Sequence, residues 1–97
     1  MVCTVTAEFV CIDGVGGKLI ELLSQMIPET LQKKGAISID MCVDQDNPDR
    51  IVLIERWQNR ANHEAYVAYR KKRGDIDTIM EMLVTPPKFI WLDLIAA

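Results

Sequence analysis

Two runs of this 97-residue chain, Ile51-Val52-Leu53-Ile54 and Phe89-Ile90-Trp91-Leu92, are apolar on both faces of the strands they would form. Successive strand residues point to opposite sides. Ile51 and Leu53 therefore need one cover and Val52 and Ile54 another, and Phe89 and Trp91 stand in the same relation to Ile90 and Leu92. A sheet with one wet face does not have this pattern. Leaving such side chains bare forfeits roughly 1.5–3 kcal/mol each, so both faces of the sheet must be covered.

The rest of the chain supplies helices for one cover. Val2 to Cys11 alternates, with Val5, Ala7, Phe9 and Cys11 on one side and Thr4, Thr6 and Glu8 on the other, which predicts a first strand. Asp13 to Gly17 reads as a loop. A helix follows with Leu19, Leu22, Leu23, Met26, Ile27 and Leu31 on one face; Pro28 should kink it or begin a new turn, and Lys33, Lys34 and Gly35 should end it. Ala36 to Asp44 predicts a second strand, Gln45 to Asp49 a hairpin turn, and Arg50 to Trp57 a third strand. Asn59 is placed to cap a helix over Arg60–Arg73 that stops at Gly74, and Asp75 to cap a third carrying Ile76, Ile79, Met80 and Leu83. Pro86 and Pro87 forbid its continuation, and Lys88 to Ile95 is the last strand. The order β-α-β-β-α-α-β is the ferredoxin-like α+β arrangement, a four-stranded antiparallel sheet in a single domain spanning 1–97. One helical layer covers one face. A second copy of the chain, sheet to sheet in a symmetric homodimer, is the economical cover for the other.

Composition narrows the partners. The net charge is −3, and the basic cluster Arg70 to Arg73 suits a helix C-terminus, so nucleic acid is not expected. The N-terminal pattern lacks a basic leader, and Asp93 interrupts the last apolar run, so neither a signal peptide nor a membrane span is expected. Three widely spaced cysteines, Cys3, Cys11 and Cys42, suit small reduced core residues of a cytoplasmic protein. They have no nearby histidine in sequence, and one histidine with scattered acids makes no metal site. Gly14, Gly16, Gly17 and Lys18 fit neither phosphate-loop spacing.

The chemically capable residues gather on Arg50–Arg70. Glu55 and Trp57 share a strand face with Ile51 and Leu53, while His63, Tyr66, Val67 and Arg70 fall along one helical stripe. If the helix folds back over its strand, a carboxylate, an indole, an imidazole and a phenol meet in one volume. The candidate catalytic residues are therefore His63, Tyr66, Glu55 and Trp57, with Leu53, Val67 and Arg70 as substrate contacts. Each has a plainer reading: Glu55 in an ion pair with Arg70 or a lysine, Trp57 in the core, Tyr66 in packing, and His63 at the surface or satisfied at an interface.

The segments TAEFVCIDG, KLIELLSQMIPET, KKGAISIDMCVDQDNPDRIVLIERW and TPPKFIWLDLI together resemble the antibiotic biosynthesis monooxygenase (ABM) family of small dimeric α/β barrels. The resemblance implies a homodimer with a cavity between the sheet and the helices of each protomer. It implies a cofactor-independent monooxygenase acting with dioxygen on a small phenolic, quinol or polyketide-type aromatic substrate. Other members degrade haem or isomerise a small carbonyl signalling compound, and a non-catalytic binding or stress-response module is the alternative of another class. Glu55 and Trp57 match the family. Many members carry histidine where this chain has Tyr66, and His63 stands where polyketide-tailoring members carry tyrosine. The asparagine and later histidine of the haem-degrading branch are missing.

Overall fold

The computed structural model describes residues 2–97. In β1 (Cys3–Val10) every second side chain is buried, namely Cys3, Val5, Ala7 and Phe9. β1 is the inner strand between β3 (Asn47–Trp57) and β4 (Lys88–Asp93), and β2 (Ala36–Asp44) pairs with the other edge of β3. The order is β2-β3-β1-β4 and every pairing is antiparallel. With α1 (Gly16–Thr30), α2 (Arg60–Arg73) and α3 (Asp75–Met80) this is the expected ferredoxin-like α+β fold.

The core lies between the sheet and the helices. Ala7, Phe9, Ile51 and Leu53 meet Leu19 and Leu23 of α1 and Ile79 of α3. A smaller cluster of Cys3, Val5 and Trp57, flanked by Tyr66, Phe89 and Trp91, fills the end of the sheet nearer α2. On the opposite face, Thr6 sits between Ile54 and Ile90, and Thr4 pairs with Leu92. Val52 and Ile54 there are half-buried, while Ile90 and Leu92 keep 41% and 45% of their surface exposed. No helix among the described residues is long and apolar enough to cross a membrane.

Several boundaries differ from expectation. The first helix ends at Thr30 rather than at Lys33–Gly35: Pro28 lies in its last turn, the Thr30 hydroxyl donates back to the Met26 carbonyl at 3.1 Å, and bonds to the third residue back carry Gln32 and Lys33 into a turn. β3 begins at Asn47, so the hairpin turn shrinks to Gln45 and Asp46, with a bulge at Val43/Asp44. Asp49, expected in that turn, accepts the backbone N–H groups of Gly14 and Gly16 at 3.0 and 2.9 Å, which ties the glycine loop to β3 and holds its carboxyl below the usual range. At Gly16 any side chain would strike the Pro48 carbonyl. Gly74, at φ 86°, closes α2 and opens α3. Asp75 therefore does not cap; its carboxylate takes Arg70 and Arg73 instead. α3 stops before Leu83, which bridges to Cys11, and β4 ends at Asp93, leaving Leu94 and Ile95 exposed.

Candidate active site

β3 delivers Glu55 and Trp57 to the helix-facing side of the sheet, opposite Val5 and Cys3 of β1. Both are buried, Glu55 with 3% of its surface exposed. The Trp57 indole N–H donates to Glu55 Oε1 at 2.9 Å. Burial pushes the Glu55 carboxyl above its ordinary pKa, and the indole bond offsets only part of that. The ion pair that Glu55 would make with Arg70 or a lysine does not form among the described residues.

Asn59 caps α2 as expected, its side chain accepting the Asn62 N–H at 2.8 Å. Helical spacing then turns His63, Tyr66, Val67 and Arg70 toward β3, and the Trp57 ring lies 5.5 Å from the His63 ring and 5.2 Å from the Tyr66 ring. The helix does fold back over its own strand. His63 is 1% exposed. The Trp91 indole N–H donates to its Nδ1 at 3.1 Å. An indole nitrogen can only donate, so Nδ1 is an acceptor and the neutral ring carries its proton on Nε2. That Nε2 has no hydrogen-bond partner among the described residues and stands 3.9 Å from Glu55 Oε1. Burial, helped by the Arg60 charge, lowers the imidazole pKa to about 4. At neutral pH the contact is thus a neutral imidazole beside a carboxyl group, not an ion pair.

Tyr66 and Arg70 form a second cluster. The Tyr66 hydroxyl hydrogen-bonds with Thr30 Oγ1 at 2.7 Å and accepts Arg70 Nε at 2.9 Å. Arg70 Nη1 meets Glu29 and Asp75 at 2.7 and 3.0 Å, and Nη2 donates to the Met26 carbonyl and Thr30 Oγ1, each at 3.2 Å. The guanidinium joins α1, α2 and the start of α3.

Between the clusters lies a cavity of about 40 Å³. Leu53 and Glu55 of β3 and His63, Tyr66, Val67 and Arg70 of α2 line it, with Phe9, Leu23, Met26, Ile76, Ile79 and Phe89 completing the walls. Six of the seven residues picked from the sequence thus share one hollow. Trp57 stands behind Glu55 and His63 rather than on the wall, its N–H already given to Glu55. The space is enough for a few waters but not for an aromatic ring. Val67 and Phe89 also line an open groove of about 310 Å³ between α2 and β4, so these two side chains stand between cavity and solvent.

Sequence reasoning missed Phe89 and Trp91. The alternation of β4 put them on one face, but which face met the helices was unreadable; an apolar strand carrying an indole N–H that needs a partner was the available signal. Among the described residues, no group of three or more His, Cys, Asp or Glu side chains is arranged for a metal ion.

The family model for antibiotic biosynthesis monooxygenase matches residues 3–70, spanning every residue of the cavity pair and the Arg70 cluster except Asp75, but not Phe89 or Trp91. Among solved structures, a crystal structure of an antibiotic biosynthesis monooxygenase is similar at a TM-score of 0.84 and 20% identity, over 97% of this chain and 99% of that one. A protein of Mycobacterium tuberculosis is similar at 0.78 and 24%, over 100% and 98%. A monooxygenase of Streptomyces coelicolor, solved in complex with nanaomycin D, is similar at 0.82 and 17%, over 98% and 88%. No curated protein matches the chain. The structural likenesses establish the shared fold, and the family match covers more than half of the sequence. The chain belongs to the antibiotic biosynthesis monooxygenase family.

Proposed function

We propose that the protein is a cofactor-independent monooxygenase of a small phenolic or quinol-type aromatic. The observation that carries this is the buried gap between Glu55 Oε1 and His63 Nε2, 3.9 Å wide, with no partner for the imidazole nitrogen among the described residues. A hydroxyl oxygen set there donates its proton to the Glu55 carboxylate and accepts the His63 Nε2–H. Glu55, its pKa raised by burial, is the base, and His63 stabilises the oxyanion. The Tyr66 hydroxyl and the Trp57 indole, the other donors near the cavity, are held by Thr30, Arg70 and Glu55.

The phenolate is electron-rich at its para carbon and gives that electron density to dioxygen, forming a carbon–oxygen bond. The peroxide so formed takes the proton from Glu55. Loss of the ring proton with cleavage of the O–O bond leaves a carbonyl and releases water: phenol plus O₂ gives quinone plus H₂O. Dioxygen is the oxidant and no other redox partner is needed. An aromatic ring requires more room than about 40 Å³, so binding displaces Val67 and Phe89 toward the groove.

The small volume of the cavity favours one competing reading, a small-ligand binding module without turnover. An isomerase of a small carbonyl compound would want a free cation at the mouth, and Arg70 is committed to Glu29 and Asp75. Oxygen uptake with a panel of dihydroxyaromatics that have a hydrogen-bearing carbon para to a hydroxyl, without added flavin, metal or haem, decides: uptake with one-to-one formation of a quinone that carries one atom of labelled dioxygen supports the oxygenase, and saturable binding with no uptake establishes the binding module. The partner we propose for the open sheet face is a second copy, since Val52, Ile54, Ile90 and Leu92 leave an apolar centre there. Sedimentation at micromolar concentration should give a dimer, and a monomer would remove that partner. With all three cysteines free, we assign the protein to the cytoplasm.

A further inference from the structure

We propose that Trp91 is a positioning residue, whose indole N–H fixes His63 as a donor toward the cavity and leaves Glu55 as the base. This deepens the oxygenase reading and rests on it for the identity of the reacting centre. The geometry is independent of the substrate. Trp91 lies on β4 opposite Val5 of β1, so its backbone is set by the sheet. The Arg60 guanidinium lies 3.8 Å over its ring, and Arg60 is itself paired with Glu64 at 3.5 Å. The indole is clamped with its N–H on His63 Nδ1.

The alternative tautomer is doubly unfavourable. A proton on Nδ1 would face the indole N–H, and the bare Nε2 lone pair would face the Glu55 carboxyl. Protonating both nitrogens meets the first of these repulsions as well. The groups around the ring are Glu55 and Trp57 from β3, Phe89 and Trp91 from β4, and Arg60 and Tyr66 from α2. Of these Glu55, Arg60 and Tyr66 are ionisable. The Arg60 cation disfavours imidazolium, and Glu55 is the group whose ionisation would favour it. Trp91 decides which nitrogen answers to Glu55. Without its N–H, His63 is free to present either a lone pair or a proton to the cavity, and base and donor are no longer distinct.

His63 is the chain's single histidine, so nitrogen-15 labelling of the imidazole reports on this ring alone. In the full-length wild type the nitrogen shifts at pH 7 should show the Nε2–H tautomer only. In Trp91→Phe, which keeps a ring on β4 but loses the donor, the Nδ1–H tautomer should rise to roughly one tenth of the population or more, and the titration midpoint should move up by about one unit. Phe89→Leu, which loses an edge contact with His63 and keeps the donor, should leave the tautomer unchanged. A wild-type ring protonated on Nδ1 overturns the proposal, even if Trp91→Phe does not fold. So does a Trp91→Phe tautomer ratio and titration equal to wild type, or mixing in Phe89→Leu as large as in Trp91→Phe. Absence of oxygen uptake with the expected tautomer shifts removes the oxygenase and leaves the positioning role standing. Where uptake exists, Trp91→Phe should lower kcat about tenfold with KM nearly constant, the split expected for a displaced donor rather than a damaged binding surface.

Discussion

Two polar clusters hang from one helix, two turns apart, and they are built in opposite ways. Around Arg70 every nitrogen of the guanidinium has a partner, and Tyr66, Thr30, Glu29, Asp75 and the Met26 carbonyl are tied together across three helices. Around His63, a carboxyl with a raised pKa faces an imidazole with a lowered one, and the nitrogen between them has no protein partner among the described residues. A saturated buried network holds elements in place. A buried polar atom left open forfeits free energy that only a bound group can restore. The contrast separates framework from the proposed reacting centre along α2, although both contribute walls to the same cavity.

The largest expected effect sharpens that division. Glu55→Gln keeps an acceptor for the Trp57 N–H and removes the proposed base, so turnover should fall about 10²- to 10⁴-fold while stability changes by less than about 1 kcal/mol. A variant that keeps its activity would place the base elsewhere. Arg70→Met should do the reverse. Breaking a buried charge network typically costs about 3–5 kcal/mol, and the half-exposed Glu29 puts this case near the lower end. Urea denaturation measures it; an unchanged midpoint would mean that the network is ornamental.

pH tests the His63 side of the comparison. Its folded pKa of about 4 lies below the ordinary 6.5. Between those values the unfolded chain binds a proton that the buried ring refuses, so stability falls as pH falls through this window and levels off below it. Glu55 has the opposite sign: its raised folded pKa makes the folded state the better proton binder, so acidification through its own window favours folding. Comparison with His63→Gln isolates the imidazole, and wild type should lose about 3 kcal/mol more than that variant between pH 7 and pH 4. Equal losses would show that His63 is not held neutral. The smallest effect is expected for Tyr66→Phe, which strips the hydroxyl from Thr30 and Arg70 Nε. About 1 kcal/mol of stability should go, with turnover held within about twofold; a large loss of turnover would move Tyr66 from the framework to the chemistry.

Much of the fold was legible. Period-two alternation marked β1 and β2, continuous apolar runs marked β3 and β4, Asn59 and Gly74 bounded α2, and the apolar stripe of Leu19 and Leu23 marked α1. These signals are local, because each residue's preference acts on its own backbone. Boundaries were less legible where a distant partner decides them. Asp75 has the chemistry of a cap and spends it on arginines, and Asp49 has the chemistry of a turn and spends it on the glycine loop. Stripe and face arithmetic gathered six cavity residues, but it could not show that Arg70 would be saturated and His63 left open.

The sequence by itself determined the alternation, the helical stripe and therefore which side chains share a face, because those follow from backbone geometry alone. The tertiary structure decided what each of those side chains touches. Trp91 lies 28 residues from His63 and meets it only because β4 pairs with β1 beside α2. A hydrogen bond a few ångströms long depends on the register of strands far apart in the chain, and no local propensity records that register.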